Sequence, residues 1–100
     1  MDTMKDTLIK TMQGYAGRSL VGYSYFTSNE DSSFFTVTTV ADNGEHRVVN
    51  HSLTVRLPGN IIIIEEDINN KPLVDALVQN GVPREQIILA YAGEAIPEVG

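Results

Sequence analysis

The chain holds two histidines, His46 and His51, and no cysteine. A metal site built on imidazoles would need both rings on one side. They lie five residues apart on a segment that reads as strand, and strand alternation sends residues at odd offsets to opposite faces. The pair cannot share a metal, and His51, in phase with Val49, Leu53 and Val55, reads as a structural histidine. The run Glu65-Glu66-Asp67 has the hard oxygens that magnesium takes in nucleases. Adjacent strand residues diverge, however, and the run lacks the lysine of a nuclease core. It reads as a solvated strand end or as acids approaching a helix. Ser24, in Gly22-Tyr23-Ser24-Tyr25-Phe26, lacks the second glycine of a nucleophile elbow. Gly14-Tyr15-Ala16-Gly17 copies a KH-type GxxG spacing but sits at a helix end, where termination explains it better. There is no Walker lysine and no dinucleotide fingerprint. The absence of cysteine removes disulfides, thiolate ligands and cysteine nucleophiles. No catalytic, cofactor-binding or metal-binding residue is expected, and the chain does not read as an enzyme.

One segment invites contact rather than chemistry. The tail Ala92 to Gly100 follows a strand, keeps two apolar residues and has no regular period. It reads as a frayed terminus, or as an arm that packs on a partner with Tyr91, Ile96 and Val99 as anchors.

These residues must be held by a single domain, 1–100, because 100 residues suffice for one core and not two. Net charge is −6, and the seven cations are scattered along the chain. Unaided duplex binding needs a basic patch that displaces counterions, so it is disfavoured. An acidic surface suits a basic partner. The first residues lack the basic start and apolar stretch of a signal peptide, and the longest apolar run is Ile61–Ile64. A cytoplasmic protein is expected, with no membrane role.

Met4, Leu8, Met12 and Tyr15 recur at helical spacing after a Thr3/Asp6 capping pair, which predicts a helix over about residues 3–16. Strands are predicted at Leu20–Thr27 and Phe34–Ala41, the second closed by a tight Asn43-Gly44 turn. A third strand places Val49, Leu53, Val55 and Leu57 on one face, and Pro58-Gly59 then suits a type II turn. Ile61–Ile64 is apolar on both faces, as a central covered strand is. An Asn cap with Pro72 in the first turn opens a second helix along Leu73, Val74 and Leu77. Gly81 and Val82 close it in a Schellman pattern, and Ile87–Tyr91 reads as the last strand. The expected fold is two-layer α+β, an antiparallel sheet in the order α-β-β-β-β-α-β.

The stretch Gly59 to Asp67, the helix Leu73-Val74-Asp75-Ala76-Leu77-Val78 and the block Gly81-Val82-Pro83-Arg84-Glu85-Gln86-Ile87-Ile88-Leu89-Ala90-Tyr91 resemble the XisI family. That family is named for the fdxN-element excision controlling factor of cyanobacteria. The helix ending in Tyr15-Ala16 and the hairpin at Asn43-Gly44 also fall where the family has them. The resemblance implies the same α+β order. It also implies an accessory role in programmed DNA excision beside a nuclease-like companion and a recombinase, with no catalytic residues. Three roles are open: a non-catalytic regulator acting on a protein partner, with an antitoxin-like variant; a direct DNA-binding accessory factor; and an enzyme resting on Glu65-Glu66-Asp67 alone. The segments Leu20–Phe26 and Ile87–Tyr91 carry no internal lysine or proline to blunt a sheet edge, so a homodimer with the C-terminal arm near its contact is expected.

Overall fold

The computed structural model describes residues 3–18, 22–42 and 44–96. Helix α1 spans Met4–Gln13. It begins where Thr3 Oγ1 accepts the Asp6 N–H at 3.1 Å and the Asp6 carboxylate accepts the Thr3 N–H at 3.4 Å. This reciprocal capping box satisfies two N–H groups that the first turn cannot. Leu8 and Met12 are fully buried, with Met4, Ile9 and Tyr15 packed beside them. The helix is shorter than its apolar stripe suggests. Tyr15 and Ala16 donate to the Met12 and Gln13 carbonyls in a tightened last turn, and the chain leaves as a strand.

Among the described residues six strands form one sheet in sequence order. They are β1 (Gly17–Arg18), β2 (Gly22–Ser28), β3 (Phe34–Asp42), β4 (Arg47–Arg56), β5 (Ile62–Asp67) and β6 (Ile87–Leu89). β1 to β5 run as an antiparallel meander. Helix α2 (Leu73–Gln79) separates β5 from β6, and β6 pairs with β5 in parallel. A sheet antiparallel throughout was expected. The helical crossover carries the chain back to the end where β5 began, so the two flanking strands run the same way. β1 is an additional short strand. Ala90 and Tyr91, expected to end the last strand, lie in a 3-10 turn, Ala90–Ala92, and Leu20 lies outside the described residues.

Both helices cover one face. Leu8 and Met12 of α1 and Leu73 and Leu77 of α2 meet Phe35, Val37, Leu53, Val55, Ile62 and Ile64 in one core. This is a two-layer α+β domain. β5 lies between β4 and β6, and Ile62, Ile63 and Ile64 are all fully buried although Ile63 faces away from the helices. Among the described residues no helix is long and apolar enough to cross a membrane.

Two turns follow their sequence signals. Gly59 and Gly81 have φ of 81° and 100°. At α2 the Gly81 N–H bonds the Val78 carbonyl, and the buried Val82 bonds Leu77 at 3.0 Å, which completes the Schellman motif. Two other details differ. Asp42 pairs with Arg47, so the hairpin connection is longer than the expected two-residue turn. Asn43 itself lies outside the described residues; the Asp42 carboxylate accepts the Gly44 N–H at 2.9 Å. Pro72 occupies the N-cap of α2 and offers it no side-chain bond, so the Asn cap is absent.

The third difference changes a whole face. Val37 pairs with Leu53 but Thr38 pairs with His51, so Ser52 is an extra residue in β4. Its hydroxyl donates to the Val37 carbonyl at 3.2 Å. A bulge resets the alternation. Val49, expected beside Leu53 in the core, is instead 61% exposed, and His51 is exposed with it. No core-cluster residue of β3 follows Val37 and none of β4 precedes Leu53. The far halves of β2, β3 and β4 therefore extend past the core as a three-stranded wing.

Candidate partner-binding surface

The groups whose types suggested chemistry are spent on architecture. The Asp67 carboxylate accepts from the Leu73 N–H at 2.7 Å, from the Asn69 N–H at 3.0 Å and from Asn69 Nδ2 at 2.9 Å. It does from the strand end what Pro72 cannot do at the cap of α2. Glu65 takes the Arg56 guanidinium at 2.6 Å. Ser24 Oγ and Thr39 Oγ1 share a hydrogen bond of 2.8 Å across β2 and β3. His51 Nδ1 lies 3.0 Å from Thr38 Oγ1. Gly14 ends α1, so the GxxG run is a helix terminus. Among the described residues no three His, Asp or Glu side chains come together as metal ligands.

The segment after α2 is ordered by its own backbone and by two opposite charges. A 3-10 turn, Arg84–Gln86, leads into β6, and a second, Ala90–Ala92, leaves it. Arg84 donates through Nη1 to the Ile87 carbonyl at 2.7 Å and through Nη2 to Glu94 Oε2 at 3.0 Å. Glu94 Oε1 accepts the Leu89 N–H at 2.8 Å, and the Glu94 N–H donates back to the Leu89 carbonyl at 3.1 Å. Ile87 N–H bonds the Arg84 carbonyl. Both Ile87 and Leu89 thus satisfy N–H and C=O locally, and the edge of β6 offers a second strand little to pair with. The tail is tied down as far as Glu94 rather than frayed. The Leu89 N–H and the Arg84 guanidinium hold the Glu94 carboxyl below its ordinary pKa.

Of the residues expected as anchors, Tyr91 lies between the ends of this clamp and Ile96 follows it. Tyr91 is 42% exposed on the second 3-10 turn, and Ile96 is 43% exposed beyond it. Val99 lies outside the described residues. Partial burial, then the Asp67, Asp75 and Glu94 charges, raise the Tyr91 phenol above its usual pKa, with Arg84 opposing. The Asp75 charge that acts on it belongs to α2. There an open depression is lined by Val74, Asp75, Val78, Gln79 and Arg84. Tyr15, whose hydroxyl donates to the Lys71 carbonyl at 2.8 Å, is raised by burial and then by the same two aspartates, Asp67 and Asp75. Both phenols stay neutral near pH 7 and act as donors and apolar contacts.

Sequence reasoning missed the clamp, although opposite charges at Arg84 and Glu94 flank a short apolar strand. It also missed a second surface. On the helix-free face of the wing, the rings of Tyr23 and Tyr25 lie 4.7 Å apart and are 41% and 51% exposed. Their i, i+2 spacing was a visible signal, but the bulge that turns Val49 and His51 to the same side was not.

The family model described as XisI protein matches residues 2–99. A crystal structure of an XisI-like protein from Anabaena variabilis is 18% identical and superposes with a TM-score of 0.65, covering 85% of this chain and 77% of that one. The fdxN element excision controlling factor XisI from Anabaena variabilis is 21% identical, also with a TM-score of 0.65, covering 87% and 88%. At these identities the superpositions establish a shared fold. No curated protein matches the chain.

Proposed function

This chain belongs to the XisI family, and from that premise we propose that it is a non-catalytic regulatory protein of the cytoplasm that acts by binding a protein partner. The partner class is the nuclease-like companion of the family. The chain positions or restrains it in programmed DNA excision or in an antitoxin-like role. One observation supports this above others: the segment that carries the exposed Tyr91 is tied down as far as Glu94 by the Arg84–Glu94 clamp, and Arg84 also lines the depression on α2. Ordering a contact segment before binding lowers the entropy cost of association. An aromatic anchor with an aliphatic neighbour is the usual centre of such a contact. The acidic balance of the chain suits a partner with a basic face.

Titration calorimetry with the purified companion tests this. A complex is expected, weakened about tenfold or more by Tyr91→Ala combined with Ile96→Ala. The alternative is direct DNA binding in site-specific recombination. A nanomolar, salt-sensitive complex of the isolated chain with a defined duplex would establish it and remove the partner reading.

A further inference from the structure

Helix α2 buries Leu73, Ala76 and Leu77 in the core. Val74, Asp75, Val78 and Gln79 fall on another side of it, because residues four apart share a helix face. With Arg84 they line an open depression. Val74 packs only partly against the core, and Val78 is 44% exposed. The two valines, about one turn apart, make a short apolar stripe that solvent reaches. Ala76 and Asn80 line a different depression, on the α1 side, with Lys10 and Lys71.

The charges around the valine stripe say what could cover it. From Glu65 to Glu94 the chain carries six acids and two cations. Glu65 is taken by Arg56, and Glu66 stands opposite Thr54 in β4. Asp67 is spent on the start of α2. Lys71 belongs to the depression on the α1 side. Arg84 does line the valine depression, but Glu94 and the Ile87 carbonyl hold its guanidinium, and the exposed Glu85 follows it in the chain. Asp75 is left: among the described residues no cation or donor holds its carboxylate. The Tyr91 phenol, raised first by burial, also feels Asp67, Asp75 and Glu94 against Arg84 alone. The stripe is therefore apolar at its centre and negative at its edge. Nucleic-acid phosphates are repelled there, and a second copy meeting it face to face brings the same charge. A cation beside an apolar side chain matches both halves.

We propose, on the protein-partner reading above, that this depression takes a basic amphipathic segment of the partner. An aliphatic or aromatic side chain of that segment covers Val74 and Val78, and a lysine or arginine next to it meets Asp75.

Titrating the isotope-labelled chain with a capped peptide of alternating lysine and leucine, and with its glutamate counterpart, reads this surface directly. The basic peptide is expected to move the amide resonances of Val74, Asp75, Val78 and Gln79, and the glutamate peptide to leave them in place. In calorimetry with the purified companion, Val78→Asp is expected to weaken the complex about tenfold. Asp75→Asn is expected to weaken it about threefold and to flatten its salt dependence. Both side chains are exposed, so circular dichroism should show the fold unchanged in each variant. Lys71→Glu, at the other depression, should not weaken the complex. A companion complex indifferent to both Val78→Asp and Asp75→Asn keeps the protein-partner reading and overturns this site. A companion that does not bind at all refutes that reading, and the peptide titration then decides the site by itself. Equal movement of the same amides by the glutamate peptide overturns it, as does a basic peptide whose effects avoid α2.

Discussion

Replacing Asp67 with alanine removes the acceptor of three hydrogen bonds at once. The bond from Leu73 N–H stands in for the missing cap of α2, and losing a cap costs about 1 kcal/mol. The two bonds from Asn69 are partly buried, and each contributes about 0.5 kcal/mol at the low end for neutral donors. The total loss for Asp67→Ala is about 2 kcal/mol. Asp67→Asn keeps one acceptor oxygen and is expected to lose about 1 kcal/mol. Glu66→Ala, at the exposed neighbour with no structural bond of this kind, should change stability by less than about 0.5 kcal/mol. Urea denaturation followed by circular dichroism measures all three, with the slope m unchanged. In a domain of 100 residues the alanine loss corresponds to a Tm lower by about 8–16 °C. The Asp67 charge also raises the Tyr15 and Tyr91 phenols, behind burial in each case, so both should titrate lower in Asp67→Ala. An alanine variant within about 0.5 kcal/mol of wild type would refute the capping argument. Equal losses at positions 66 and 67 would restore a shared role for the acidic run.

Ile63→Ala, at a fully buried residue between Arg56 and Ile88, should cost about 2–5 kcal/mol in the same assay, whereas Ile68→Ala, 59% exposed, should cost little. A Cβ on Gly22 would lie 2.0 Å from the Val40 carbonyl oxygen and 2.7 Å from Ala41 Cα, so Gly22→Ala should destabilise by about 1–3 kcal/mol or more, read by thermal melting. The Glu94 carboxyl titrates below 4.5 in the fold, so its contribution is complete above the unfolded pKa and is lost as pH falls through the folded one. The protection of the Leu89 amide, its exchange rate relative to the intrinsic rate at the same pH, should therefore fall on acidification below about pH 4.5, and the Glu94→Gln variant should lose that pH dependence.

Local signals carried much of the fold. The Thr3/Asp6 box, the helix that carries Leu8 and Met12, and the Gly81-Val82 stop each encode a structure whose bonds close within a few residues. Such signals need no knowledge of the rest of the chain. The resemblance to XisI rested chiefly on Gly59–Asp67, Leu73–Val78 and Gly81–Tyr91, and the family match spans residues 2–99.

Tertiary structure decided what depends on distant pairing. The insertion of Ser52 opposite the Val37–Thr38 step is a relation between two strands, and it moved Val49 and His51 out of the core phase that alternation assigned them. Asp67 became a helix cap because the end of β5 meets the start of α2, a contact across six residues that Pro72 made necessary. The direction of β6 followed from the crossover, and the Arg84–Glu94 clamp from the path of the chain around it. A sequence lists donors, acceptors and apolar positions, but which of them meet is settled only when strands choose their register. The surfaces that remain for a partner are what that choice leaves uncovered.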